Sequence, residues 1–266
     1  MSDCFIQLQG GLGNQLFQIA TAWAHAHRNN YRLRISLKTQ GGRPTYWTSF
    51  LHKCKDYVGR PSGSGSVSAT AWKEPRFSYT PIPAEARYLA GYFQSSRYFS
   101  EYRKELLELF DPSEEVKSYV TAKYGELIKE KEKITVLHIR RGDYVRLPNY
   151  HGILTSEYYA RQVADASGPV LVFSDDIAWC RELAFLKNAI FIDEEDEAAS
   201  LYLMSRFERF ILSNSSFSWW AAWLADAKSV IVPDRWFGAD GPLDDHDVYE
   251  LNWIKKPLAT SGLESP

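Results

Sequence analysis

Two arginines and an aspartate follow a short apolar run near the middle of the chain. Residues 134–139 are mostly apolar and β-branched, with His138 near their end, which is typical of a buried strand. Arg140, Arg141 and Asp143 come directly after this run. Guanidinium groups bind phosphate oxygens through paired, charge-assisted hydrogen bonds, and ligands of open α/β sheets lie beyond the carboxyl ends of the strands. The segment therefore predicts a site for a phosphate-bearing ligand; the alternative is a surface turn in which Arg141 and Asp143 form a salt bridge.

A second segment predicts polar groups at the same edge of the sheet. The run 170–173 predicts a strand, and Ser174, Asp175 and Asp176 follow it. A pair of acids after a strand often binds a divalent cation, but acids also favour the first turn of a helix, and a helix is predicted from residue 177. The residues alone therefore leave a metal-binding pair and a helix cap open.

A turn of small polar residues predicts an anion site. Residues 210–213 predict a strand and residues 219–226 a helix, and Ser215, Ser216 and Phe217 lie in the turn between them. A helix start offers backbone N–H groups without acceptors, together with the positive end of the helix dipole. The alternative is a helix that is simply well capped. Trp219, Trp220 and Trp223 are expected in the core.

Five segments of the chain follow one another in an order that is known from one enzyme family. They are residues 10–18 (GGLGNQLFQ), 91–99 (GYFQSSRYF), 138–144 (HIRRGDY), 172–176 (VFSDD) and 213–224 (SNSSFSWWAAWL). Together they resemble the motifs of the α1,2-fucosyltransferase family, which is related to the α1,6- and protein O-fucosyltransferases. The resemblance extends from about residue 5 to residue 237.

The resemblance implies an inverting, metal-independent enzyme that moves L-fucose from GDP-β-L-fucose to a glycan hydroxyl, with O2 of galactose as the expected acceptor position. Such an enzyme requires no cofactor, and GDP-fucose is its donor substrate. Two alternatives remain open: a transferase that uses another GDP sugar or makes another linkage such as α1,6, and a non-catalytic glycan-binding protein of the same fold. An NAD-type enzyme is disfavoured because Leu16 stands where the third glycine of GxGxxG belongs.

The expected fold class is α/β, with two Rossmann-like lobes in a GT-B-like arrangement around a central cleft. We predict an N-terminal acceptor-side lobe at 1–130, a C-terminal nucleotide-sugar-binding lobe at 131–255 and a tail at 256–266. A strand at 5–9, a helix at 14–29 and a strand at 32–36 open the first lobe, and the run 61–66 is expected to be mobile. The second half alternates between strands (134–139, 170–174, 190–192, 208–213, 229–232) and helices (156–166, 176–187, 195–205, 217–226), which predicts a parallel sheet.

The roles of individual residues follow from the resemblance. Arg140 is expected to bind the β-phosphate in the catalytic step, held in place by Arg141 or Asp143. His138 is expected to contact the ligand, and no general base is identified. Because the resembled family works without metal, Ser174, Asp175 and Asp176 are expected to cap the following helix and to contact a ribose or an arginine. The N-terminal loop is expected to contribute Gly11, Gly13, Asn14 and Gln15 to substrate binding; the alternative is a packing turn in which Asn14 is the helix N-cap.

The sequence contains one further acidic motif. Asp245-His246-Asp247 has the DxD spacing that metal-dependent glycosyltransferases use, but it lies in a loop rich in Gly, Pro and Asp. We predict a solvated turn there, and no metal site.

Composition excludes several classes of partner. The net charge of −2 gives no electrostatic signature of nucleic acid binding, and no stretch has the length and hydrophobicity of a membrane span. The three cysteines have no metal-ligand spacing and suit burial in a reducing compartment. Animal and plant members of the resembled family carry a membrane anchor, so the resemblance together with the lack of a predicted span implies a cytoplasmic enzyme of bacterial or viral type, or one acting in a host-cell cytoplasm. Its partners would be the donor and a glycan acceptor, and its oligomeric state is open.

A departure from the family pattern generates the first prediction. Where related enzymes carry an aspartate suited to accepting hydrogen bonds from guanine, this chain has Ser200, and Glu197 lies one helical turn earlier. If Glu197 partly replaces that aspartate, the preference for GDP over ADP should survive at about 1–2 kcal/mol, the scale of one such hydrogen bond. Binding measurements should show a narrower GDP–ADP gap for Glu197→Gln and a wider one for Ser200→Asp. Equal affinities for the two nucleotides in the unmodified protein would contradict the hypothesis.

Overall fold

The described chain divides into two compact units. The computed structural model describes residues 1–60, 71–194 and 196–258. The first unit contains residues 1–119 and 244–250, and the second contains the rest of the described chain. The division thus falls inside a helix at Glu114–Lys129, whereas the sequence suggested a boundary near residue 130. Residues 244–250 belong to the first unit and not, as expected, to the second. The predicted mobile run at 61–66 and residues 259–266 of the predicted tail lie outside the described residues.

The first unit is built on a parallel sheet. Within the described residues its strands are ordered β2-β1-β4-β3, and their bounds are Asp3–Ile6 (β1), Arg32–Ile35 (β2), Ala71–Lys73 (β3) and Tyr88–Ala90 (β4). Helix α1 (Leu12–Arg28) joins β1 to β2 and buries its apolar residues against the sheet. This is the strand–helix–strand start that the sequence predicts. The unit also contains α2 (Arg103–Leu109) and the beginning of α3 (Glu114–Lys129).

The start of α1 corrects one expectation. The helix begins at Leu12, with Gly11 as its N-cap residue and no side-chain capping bond. Asn14 is therefore already inside the helix, and its proposed role as N-cap is wrong. Its side-chain oxygen instead accepts a hydrogen bond from Gln94 (2.7 Å), a partner 80 residues away that spacing along the chain could not reveal.

The second unit contains a larger parallel sheet. Among the described residues the order is β10-β9-β8-β5-β6-β7, which confirms the parallel sheet predicted from the alternating pattern. The strands are β5 (Thr135–Ile139), β6 (Val170–Ser174), β7 (Ile190–Phe191), β8 (Arg209–Ile211), β9 (Ser229–Pro233) and β10 (Ile254–Lys256). The helices are α4 (Pro148–His151), α5 (Ser156–Ala164), α6 (Ile177–Arg181), α7 (Glu197–Met204) and α8 (Ser216–Leu224).

Three details of the second unit differ from the prediction. The helix expected at 176–187 is two pieces, α6 and a 3₁₀ helix at Ala184–Leu186. The short elements α4 and β10 were not predicted. Both are three or four residues long, too short for a periodic hydrophobic pattern to identify them. The core prediction is confirmed for α8, whose Trp219, Trp220 and Trp223 are buried.

The acidic motif near the C-terminus is not a solvated turn. Asp247 accepts a hydrogen bond from the Tyr79 backbone N–H (3.0 Å) and forms an ion pair with Arg97 (3.0 Å), and its side chain is only 12% exposed. Asp244 accepts from the backbone N–H (3.1 Å) and the hydroxyl (2.9 Å) of Ser78. These carboxylates therefore tie residues 244–250 to the first unit. The sequence could not show this because the donors lie about 150 or more residues earlier in the chain.

Close backbone contacts hold α4 against residues 237–241 in the second unit. The Gly238 N–H donates to the carbonyl of Tyr150 (3.0 Å), and the Asp240 N–H donates to that of Asn149 (2.9 Å). Gly152 has a φ of +69°, and a Cβ atom at Gly238 would collide with the Asn149 carbonyl. Two glycines thus allow the chain at α4 to contact the chain at residues 237–241 directly.

This packing generates a prediction about stability. Gly238→Ala should lower the melting temperature, because the added methyl meets backbone atoms that cannot rotate away, and overpacking of this kind costs about 1–3 kcal/mol. The matched control is Gly125→Ala in α3, where a Cβ atom meets nothing within 4 Å. That variant should be stabilised by about 0.5–1 kcal/mol, the usual gain from replacing a helical glycine. Equal melting temperatures for the two variants would show that the contact is not a close one.

Candidate active site

Three segments meet at the carboxyl edge of the second sheet. Strand β5 is central and pairs in parallel with β6 on one side and β8 on the other. The residues that follow these strands are Arg140 and Arg141, then Asp175 and Asp176, then the turn at 213–217. Parallel strands end at the same edge, so the structure brings together the three segments that the sequence selects.

Arg140 is held by two carboxylates. One of its terminal nitrogens is 2.6 Å from Asp143, and the other is 3.1 Å from Asp175. Burial lowers the pKa of Arg140, but the carboxylates of Asp175 and Asp143 outweigh that effect and the net shift of the pKa is upward. The guanidinium is therefore permanently charged, and its side chain is 25% exposed at the edge of the sheet. Asp143, one of the two partners expected for Arg140, fills that role.

Arg141 points to helix α6. Its Nε atom is 3.2 Å from Asp176, and its guanidinium carbon lies 3.8 Å from the centre of the Trp179 ring. Its backbone N–H donates to Asp175 (2.9 Å). The alternative of a surface turn with Arg141 and Asp143 paired is therefore wrong, because each of these residues has a different partner.

The acids after β6 act as a cap and as arginine partners, as predicted. Asp176 accepts from the backbone N–H of Trp179 (3.1 Å) and so caps α6, while the Ser174 hydroxyl accepts from the Asp176 N–H (2.9 Å). Contact with a ribose stays a prediction. Within residues 1–60, 71–194 and 196–258, no three His, Cys, Asp or Glu side chains are grouped as metal ligands would be.

His138 is a buried, neutral imidazole. The residue is in β5, and its Nδ1 lies 2.7 Å from the hydroxyl of Ser213, two residues beyond the end of β8. Burial, with a smaller contribution from Arg140, lowers the pKa of His138 to about 3. The imidazole therefore links the two strands and is a poor proton acceptor near neutral pH. Contact with a ligand stays a prediction.

The turn before α8 offers backbone donors. The Ser215 N–H is not one of them, because it donates to the carbonyl of Ser213 (2.9 Å). Helix α8 begins at Ser216, and the N–H groups of its first turn, which includes Phe217, have no acceptor within the helix. Ser215 does not cap the helix with its hydroxyl. The predicted donors thus reduce to the start of α8 itself and the serine hydroxyls.

The remaining predicted residues occupy different surroundings. Glu197 is exposed in the first turn of α7, whereas Ser200 is buried and its hydroxyl donates to the Glu194 carbonyl (3.3 Å). The structure thus gives no common exposed surface to these two residues, and the proposed replacement of the family aspartate stays a prediction.

In the first unit, Gln15 is fully buried and donates to the carbonyls of Gly10 (3.0 Å) and Pro44 (2.8 Å), so its side chain supports the N-terminal loop from inside. Substrate binding by Gly11, Gly13 and Asn14 stays a prediction.

The sequence did not identify Tyr144 and Asn214 as site residues. The Tyr144 hydroxyl donates to the Asn214 carbonyl (3.0 Å), and the Tyr144 ring stacks on that of His151 with the centres 4.1 Å apart. The available signal was position: Tyr144 directly follows Arg140–Asp143, and Asn214 lies inside the serine turn.

Comparison with known proteins gives a family match. The model of the family described as "Glycosyl transferase family 11" matches residues 68–256. An α1,2-colitosyltransferase of Escherichia coli is 30% identical, with 96% of this chain and 99% of the relative covered. Galactoside α-(1,2)-fucosyltransferase 2 of Oryctolagus cuniculus is 27% identical, with 85% of this chain and 68% of the relative covered. These matches confirm the resemblance found in the motifs.

A solved structure supports the fold. NodZ α1,6-fucosyltransferase co-crystallised with GDP matches with a TM-score of 0.56 and 17% identity, covering 88% of this chain and 96% of that one. At this identity the match shows the fold alone, and it confirms the predicted α/β fold class. Among the described residues, no helix combines the length and the apolar character needed to cross a bilayer.

The environment of His138 generates a prediction about pH. A pKa of about 3 in the folded protein means that the imidazole stays neutral between pH 5 and 8, so its ring carbon signal in NMR should not move in that range. Because the folded pKa lies below that of the unfolded chain, neutral His138 stabilises the fold fully above about pH 6.5, and this stabilisation is lost as the pH falls toward 3. The signal would be assigned by its disappearance in His138→Gln. A midpoint between pH 5 and 8 would contradict the buried environment.

Proposed function

Because the chain belongs to glycosyl transferase family 11, we propose that it transfers L-fucose from GDP-β-L-fucose to O2 of a galactoside, with inversion and without a metal ion. The observation that carries this proposal is the geometry around Arg140. Its charged fork is fixed by Asp143 and Asp175 at the end of the central strand, beside the strand that leads into α8. A diphosphate is the ligand that such a pair of cationic and N–H donors suits.

The chemistry of transfer explains why these donors are needed. When the bond between the anomeric carbon and the β-phosphate oxygen breaks, negative charge develops on the leaving diphosphate and the sugar gains oxocarbenium character. Arg140 supplies a fixed positive charge to the β-phosphate, and the first turn of α8 supplies N–H groups. Donors that are already oriented stabilise the transition state without reorganising.

The partners of the acids in the candidate metal motifs support a mechanism in which the protein supplies the countercharge. Asp175 and Asp176 are engaged by Arg140, by Arg141 and by the start of α6. In the first unit, Asp247 is engaged by Arg97 and by the Tyr79 N–H. Asp175, Asp176 and Asp247 thus have protein partners, and this pairing supports arginine as the diphosphate ligand.

A second candidate is a different donor sugar. The E. coli relative, matched over 96% of this chain, is named a colitosyltransferase. Colitose differs from L-fucose by lacking the 3-hydroxyl group, and a GDP-linked colitose would present the same diphosphate to Arg140 and α8. L-colitose is therefore the alternative sugar for the same site and the same linkage.

A transfer assay tests the proposal. The protein would be incubated with GDP-fucose, GDP-colitose or GDP-mannose and a β-galactoside in excess EDTA, and the product linkage would be determined by NMR. We expect an α1,2-linked L-fucoside, formed at the same rate with and without EDTA. Faster transfer from GDP-colitose would select the second candidate. Loss of activity in EDTA and recovery with manganese would contradict the role given to Arg140, and saccharide binding without GDP binding would indicate a glycan-binding protein.

A further inference from the structure

We propose that Tyr144 is a positioning residue that couples Arg140 to the turn preceding α8. Through it, the two elements that bind the diphosphate in the proposed reaction keep a fixed separation. This inference rests on the proposed function, and it assigns to that site a residue whose side chain need not touch the substrate.

The Tyr144 ring lies among the groups that surround Arg140. The guanidinium carbon of Arg140 is 5.4 Å from the centre of the ring, within the range of a cation–π interaction. The imidazole of His151 is stacked on the ring, with an angle of 6° between the planes. A displacement of Tyr144 would therefore change the surroundings of the guanidinium directly.

The hydroxyl of Tyr144 provides the second half of the coupling. It donates to the backbone carbonyl of Asn214 (3.0 Å), which lies between Ser213 and Ser215 in the turn before α8. Burial raises the pKa of Tyr144 to about 12, so the hydroxyl keeps its proton and remains a donor at neutral pH. One side chain thus contacts both the arginine and the turn.

The side chain of Asn214 also binds the backbone of His151, whose ring stacks on that of Tyr144. Its side-chain amide faces three backbone carbonyls, those of Gly152 (3.0 Å), Trp236 (2.8 Å) and His151. The backbone carbonyl of Asn214 therefore accepts from Tyr144, while its side-chain amide donates to the backbone of His151. The His151 ring in turn stacks on Tyr144. The contacts form a closed cycle, and such a cycle restricts motion more than one isolated bond does.

The surroundings of the cycle indicate that it orders the site more than it stabilises the fold. Residues 145–148 are exposed, and the backbone contacts of α4 with residues 237–241 begin only at Asn149. Without the hydroxyl bond this segment gains freedom, and binding of the diphosphate must then restore its order. The cost should appear mainly in ligand affinity.

A pair of matched variants tests the role of the hydroxyl. Tyr144→Phe removes one oxygen and keeps the ring, whereas Tyr158→Phe removes the same atom from a buried hydroxyl that has no hydrogen-bond partner in the described part of the chain. By calorimetry we expect roughly 3- to 10-fold weaker GDP binding for Tyr144→Phe, the scale of one net hydrogen bond, and unchanged binding for Tyr158→Phe. Both melting temperatures should stay close to that of the unmodified protein.

A double-mutant cycle distinguishes positioning from a general loss of order. If Tyr144 acts through Arg140, adding Tyr144→Phe to Arg140→Lys should weaken GDP binding little further. If the double variant's fold-loss of GDP affinity equals the product of the two single losses, the proposal is overturned. Equal GDP affinities of Tyr144→Phe and Tyr158→Phe, in a protein that binds GDP, would also overturn it. An unmodified protein that does not bind GDP would overturn the proposed function as well, so the two failures are distinguishable.

Discussion

The ion pairs that fix Arg140 are the interaction on which the rest of the candidate site depends. Asp143 and Asp175 orient the two terminal nitrogens, and the burial of the arginine makes this pairing necessary because an unpaired charge there would be costly. The same carboxylates reduce the local positive charge that a diphosphate would meet. The N–H groups at the start of α8 compensate for this reduction, since no carboxylate in the described part of the chain accepts a hydrogen bond from them.

The order of the parallel strands brings these groups together. Because β5 lies between β6 and β8, the arginine, its acidic partners and the start of α8 emerge side by side. Buried polar contacts then fix the strand ends: His138 binds Ser213, and the Asn214 amide binds the chain around α4. The close contact between Gly152 and Gly238 also holds the chain around α4. Each support is internal to the second unit.

The sequence predicted those features that depend on local pattern. Alternating apolar runs identified β5, β6, β8 and β9 and their parallel pairing, and the motif order identified the family. It did not predict features that depend on distant partners. Asp247 looked solvated because Arg97 is 150 residues away, and Asn14 looked like a cap because its partner is Gln94. Burial of His138 and the role of Tyr144 likewise became visible only once β5 and the turn before α8 were adjacent.

The central claim is that Arg140 binds the β-phosphate, and calorimetry with GDP and GMP tests it most directly. Arg140→Lys keeps the charge but removes the planar fork, so GDP binding should weaken roughly 10- to 100-fold, the scale of hydrogen bonds to a charged group. GMP lacks the β-phosphate, and its affinity should not change. Arg209→Lys is the control, because Arg209 begins β8 at the opposite edge of the sheet. Equal losses for GDP and GMP, or no loss for either, would contradict the account.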